Sequence, residues 1–104
     1  MVSDDRIQEL VKRIVEEVHP IKVILFGSTA RGEDREDSDI DVLVVMPDGT
    51  HRLDAMTRIY RALIGSKLPA DIVVATASDM RVYADSSGLI YREALKDGVE
   101  LYAA

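Results

Sequence analysis

A chain of 104 residues, 47% hydrophobic and 31% charged, has the size and composition of one globular domain and excludes a disordered segment. The absence of cysteine excludes disulfides and thiolate metal centres and fits a reducing cytoplasm. A formal net charge of -6 argues against direct nucleic-acid binding, which needs clustered Lys and Arg.

The N-terminus, MVSDDRIQEL, carries acidic residues where a signal peptide needs basic ones, and no apolar run reaches membrane-spanning length. The expectation is a single cytoplasmic domain over residues 1–104 with no membrane contact. Residues Asp4 to Val18 read as an amphipathic helix, with Ile7, Leu10, Val11, Ile14, Val15 and Val18 forming one apolar stripe. Ser3 is its expected N-cap, Asp4 and Asp5 suit the positive end of its dipole, and His19-Pro20 ends it. His19, one histidine at a helix end, reads as structural or exposed before it reads as a metal ligand.

Ile21 to Phe26 and Asp39 to Met46 are β-branched and nearly continuously apolar, which predicts two strands buried on both faces of a layered α/β domain. Pro47-Asp48-Gly49 makes a turn, and residues 51–65 form a second helix with Leu53, Met56, Ile59, Tyr60, Leu63 and Ile64 at helical spacing. Met56 and Tyr60 read as core. A third strand runs from Ala70 to Ala75, a helix starts at Ser78-Asp79, and Ser86-Ser87-Gly88 interrupts the pattern before Leu89 to Lys96 resumes it. Gly98 fits the left-handed position after a helix, and Val99 to Tyr102 forms a last strand or a docked tail. The fold class expected is α/β (α+β): a small mixed sheet of three to four strands flanked by helices.

The chemistry concentrates between Phe26 and Val45. Side chains alternate along a strand, so Asp39 and Asp41 share one face, roughly 6 to 7 Å apart at the backbone. Two carboxylates at the head of an apolar strand repel each other, and a divalent cation such as Mg²⁺ relieves that; a strand that starts in solvent with both side chains wet is the simpler alternative. Upstream, Gly27-Ser28 ends the first strand and leads into helix-compatible Thr29-Ala30-Arg31, an arrangement that presents backbone N–H groups to an anion, although most such pairs are only turns. Asp71 enters the third strand as Asp39 and Asp41 enter the second. The acidic run Glu33-Asp34-Arg35-Glu36-Asp37 is a solvated loop or a docking patch for a basic protein.

Gly27-Ser28-Thr29-Ala30-Arg31-Gly32, followed by Ser38-Asp39-Ile40-Asp41-Val42, resembles the G-S-x-A-R-G…S-D-I-D signature of the minimal nucleotidyltransferases, the smallest members of the DNA polymerase beta superfamily. The resemblance spans nearly the whole chain. It implies the palm-like nucleotidyltransferase fold and makes Asp71 the third carboxylate of the family's set. It also implies transfer of AMP from ATP to an acceptor hydroxyl, with Asp39, Asp41 and Asp71 as catalytic residues holding two Mg²⁺ ions. Gly27 and Ser28 would bind the β/γ-phosphates. Arg31 would neutralise phosphate charge, or else form a surface ion pair with Glu33 or Asp34.

Small stand-alone members of this family pair with helical HEPN-domain ribonucleases as toxin and antitoxin. The resemblance therefore implies a HEPN partner, neutralised by complex formation, by adenylylation of a tyrosine, or by both. Two other readings stay open: a non-catalytic module that occludes its partner, and a small-molecule nucleotidyltransferase assembled as a homo-oligomer.

Overall fold

In the computed structural model, which describes residues 4–27, 40–83 and 98–104, the two β-branched runs lie together in the middle of the sheet. Lys22–Phe26 forms β1 and Ile40–Met46 forms β2, paired antiparallel from Lys22↔Val45 to Phe26↔Asp41. Ala70–Thr76, β3, lies parallel to β2, and Val99–Ala103, β4, lies antiparallel to β1, giving the order β3-β2-β1-β4. The sheet is mixed and four-stranded, as expected.

Alternation along β2 sorts its side chains between two layers. Ile40, Val42, Val44 and Met46 pack on one face with Val23, Leu25, Ile72 and Val74, beneath the helices Asp4–Val18 (α1) and Arg52–Leu63 (α2). Leu10 and Ile14 of α1 and Ile59 of α2 are fully buried there, each contributing about 1.5–3 kcal/mol through burial. Leu43 and Val45 turn to the other face, where Ile24, Phe26, Ala75 and Met80 form a smaller cluster. β2 is thus buried on both sides from Val42 to Met46, as its unbroken apolar run requires.

The helix α1 stops where His19 takes a left-handed backbone (φ 50°) ahead of the buried Pro20. α2 begins one residue later than its pattern predicts, because His51 is the N-cap: its Nδ1 accepts the Asp54 N–H at 3.3 Å. The buried line of α2 is Ala55, Ile59 and Leu63. Leu53 (65% exposed) and Ile64 (78% exposed), expected in the stripe, lie outside it, and Met56 is half-buried. Tyr60 is not core either: its hydroxyl accepts the Ile72 N–H of β3 at 3.0 Å.

The helix expected from Ser78 is the short Ala77–Tyr83, α3. Its start comes earlier because Thr76 and Asp79 cap it reciprocally: Thr76 Oγ1 accepts the Asp79 N–H at 3.2 Å and Asp79 Oδ2 accepts the Thr76 N–H at 3.0 Å. The Ser3 cap and the Leu89 to Lys96 helix that Gly98 would close lie outside the described residues. Among those described, no helix is long and apolar enough to cross a membrane.

Candidate functional site

The pairing of the three strands decides what meets what. Asp41 of β2 is opposite Phe26 of β1 on one side and opposite Asp71 of β3 on the other. In-register partners of a parallel pair project to the same face. Ile40, Val42, Ile72 and Val74 all face the helices, so Asp41 and Asp71 belong to the opposite face. Two carboxylates therefore stand side by side on neighbouring strands, about 4.8 Å apart at the backbone. That is shorter than the roughly 6 to 7 Å that the sequence leads one to expect along the strand between Asp39 and Asp41.

Gly27 follows directly on β1 and sits against Asp41. Its backbone is left-handed (φ +75°), and a side chain there would overlap the Asp41 carboxylate, lying 3.2 Å from Cγ and 3.4 Å from Cβ. Glycine is required twice over, by the backbone and by the carboxylate beside it. Asp41 is half-buried and Asp71 is exposed at the sheet edge. The exposure of Asp71 removes much of the burial penalty expected for it, since the apolar part of β3 begins only at Ile72. What marks the pair is register rather than burial.

Of the residues singled out in the sequence, the fold brings together Gly27, Asp41 and Asp71. Ser28, Arg31 and Asp39 lie outside the described residues. Two adjacent carboxylates beside a glycine that leaves room for them supply the hard oxygen donors that suit Mg²⁺. Among the described residues no cluster of three or more metal-binding side chains occurs; Asp39, the further carboxylate expected from the sequence, lies outside them.

A second acidic arrangement secures the far ends of β2 and β3. Asp48 Oδ1 accepts the Ser78 N–H at 2.7 Å, and its Oδ2 accepts from Arg81 at 3.0 Å. The Ser78 hydrogen bonds, with Arg81 beside them, hold the Asp48 carboxyl below its ordinary value. Asp79 is lowered too, first by the Thr76 N–H and then by Arg52, which donates to it at 3.0 Å. A cavity of about 520 Å³ opens nearby between the start of α2 and Val74, lined by Thr50, His51, Arg52, Leu53 and Met56. It contains neither Asp41 nor Asp71.

Residues 7–100 match the nucleotidyltransferase domain family. The chain belongs to that family. Its fold is shared with a candidate nucleotidyltransferase from Sulfolobus solfataricus, 24% identical with a TM-score of 0.66, covering 95% of this chain and 78% of the other. A toxin–antitoxin complex solved with AMP-PNP is similar at 21% identity and TM-score 0.56, over 99% of this chain and 75% of the other. So is a complex of a tri-AMPylated Shewanella oneidensis HEPN toxin with its MNT antitoxin, at 17% identity and TM-score 0.54, over 96% and 69%. No curated protein matches the chain. The mixed sheet and flanking helices are thus the nucleotidyltransferase fold, and Asp41 and Asp71 lie on adjacent strands within it.

Proposed function

We propose that this nucleotidyltransferase domain transfers AMP from ATP to a hydroxyl on a partner protein, acting as the antitoxin to a HEPN ribonuclease. The observation that carries the reading is the in-register pair Asp41↔Asp71 beside Gly27. Family membership supports the transfer. A fold neighbour that is an MNT antitoxin bound to an AMPylated toxin supports the acceptor.

In this scheme Asp39, Asp41 and Asp71 together would hold two Mg²⁺ ions, which would supply charge neutralisation at the triphosphate and a lowered pKa at the attacking hydroxyl. The turn at Gly27 and Ser28 cradles the β/γ-phosphates with backbone N–H groups and a hydroxyl. The acceptor oxygen bonds to the α-phosphorus, the bond from that phosphorus to the bridging oxygen breaks, and pyrophosphate leaves. Asp71, exposed where Asp41 is half-buried, lies on the side open to an acceptor and to the proton that the hydroxyl gives up. Arg31 offsets charge on the departing phosphates. Most of the acceleration comes from positioning and preorganised charge.

The test is incubation of the protein with Mg²⁺ and α-labelled ATP, with and without the protein encoded by the adjacent gene, followed by intact-mass analysis of both chains. One or more AMP groups appear on the partner and vanish with the near-isosteric double variant Asp39→Asn, Asp41→Asn, whose fold is checked by circular dichroism. A complex that forms with no AMP on either chain would instead make the domain an occluding module.

A further inference from the structure

Asp71 belongs to β3, which ends the strand order, so among the described residues no strand neighbours the other side of its backbone. The Ile40 N–H donates to the Pro69 carbonyl at 2.8 Å. Continued along the parallel register, that pattern turns the Asp71 carbonyl toward β2 and the Ile72 N–H outward. These two groups form a single peptide unit, the one immediately after Asp71. Its outward N–H is taken by the Tyr60 hydroxyl at 3.0 Å. β2 holds the unit from one side and α2 from the other.

Tyr60 is 39% exposed, so burial of its ring does not by itself account for a tyrosine here. The group that reaches a specific target is the hydroxyl. Between α2 and Asp71 the chain is held by Ser66, whose N–H and hydroxyl donate to the Leu63 carbonyl and whose Oγ accepts the Leu68 N–H at 3.2 Å, and by the Ile40–Pro69 bond; none of these reaches the peptide after Asp71.

We propose that Tyr60 is a positioning residue for Asp71, fixing the peptide plane after it so that the Asp71 carboxylate keeps its register with Asp41. The inference rests on the reading of Asp71 as a metal ligand. Tyr60 touches neither metal nor nucleotide in this role and acts only through the strand.

The test is Mn²⁺ binding, followed by electron paramagnetic resonance in the presence of a non-hydrolysable ATP analogue, on wild type, Tyr60→Phe, Asp71→Asn and the double variant. Arg13→Gln serves as control: it deletes a different hydrogen bond to α2, from Arg13 to the Ala62 carbonyl at 3.0 Å. Tyr60→Phe weakens Mn²⁺ binding about tenfold, the low end for groups that orient a metal ligand, while Arg13→Gln does not. Combined with Asp71→Asn, Tyr60→Phe adds no further loss. A Tyr60→Phe protein with lowered Tm but unchanged Mn²⁺ affinity, or with losses that add to those of Asp71→Asn, overturns the proposal. If Asp71→Asn itself leaves Mn²⁺ binding intact, the metal-ligand reading fails and this inference fails with it.

Discussion

Replacing Gly27 by alanine separates two costs that glycine avoids. One is local: an L-residue at φ +75° is strained by about 1–2 kcal/mol wherever it occurs. The other depends on Asp41, whose carboxylate occupies the space a Cβ would need. Gly27→Ala therefore lowers stability by more than the strain alone, and part of the loss disappears when Asp41 is also alanine. Urea denaturation of the two single variants and the double variant measures that coupling. Strict additivity would mean that the carboxylate moves aside at no cost and that Gly27 answers only to its backbone. The break at Gly27 after β1 was legible in the sequence. The approach of Asp41 to Gly27 was not, because nothing in a linear spacing says which strand lies beside it.

Among the elements, α3 is held at its start by charge. Asp79 closes the reciprocal cap with Thr76 and takes a hydrogen bond from Arg52 of α2, while Asp48, in the turn after β2, caps Ser78 and pairs with Arg81. Both carboxyls lie below the ordinary value of 3.8. A carboxyl whose pKa is lowered by folding stabilises above its unfolded pKa, and that stability disappears as pH falls through the lower, folded value. Tm is thus flat with respect to these groups from neutral pH down to about 4 and falls below it. Asp79→Asn costs about 0.3–1 kcal/mol at pH 7, and its gap from wild type narrows below pH 4, as a thermal melt series between pH 2 and 7 will record. A gap that stays constant down to pH 2 would show that the Asp79 charge contributes nothing. The cap itself was readable, since Thr76-x-x-Asp79 has the pattern of a capping box; the β-branched run of β3 continues through Thr76 and hid it. The inward line of α2 was less readable. Leu53, Tyr60 and Ile64 border Ala55, Ile59 and Leu63 around the helix, and periodicity finds an apolar side without saying which part of it the sheet covers.

For the molecule as a whole, the family signature is local and so could be read directly, whereas the Asp41–Asp71 pair depends on a parallel register between strands separated by a helix. The sequence supplied the carboxylates; only the fold set them side by side. The same division applies to charge. The net of -6 is a property of composition, but its distribution is uneven: Arg52, Arg58, Arg61 and Lys67 make α2 and the loop after it the basic part of an acidic chain. Two of those cations are already engaged, Arg52 with Asp79 and Arg58 with Glu17. A phosphate backbone laid along α2 would have to break these pairs while facing the repulsion of an acidic remainder, and each lost contact removes affinity that salt would screen further. Single-stranded RNA at ordinary salt should therefore bind more weakly than about 100 µM, the weak end of non-specific association. An electrophoretic mobility titration checks this. A shift at low micromolar protein, falling steeply as salt rises, would mean that the α2 cations exchange their carboxylates for phosphates and that RNA is a direct ligand of this domain. Without such a shift, any action on a ribonuclease has to proceed through contact with the protein, which is where transfer of AMP to a partner hydroxyl would take place.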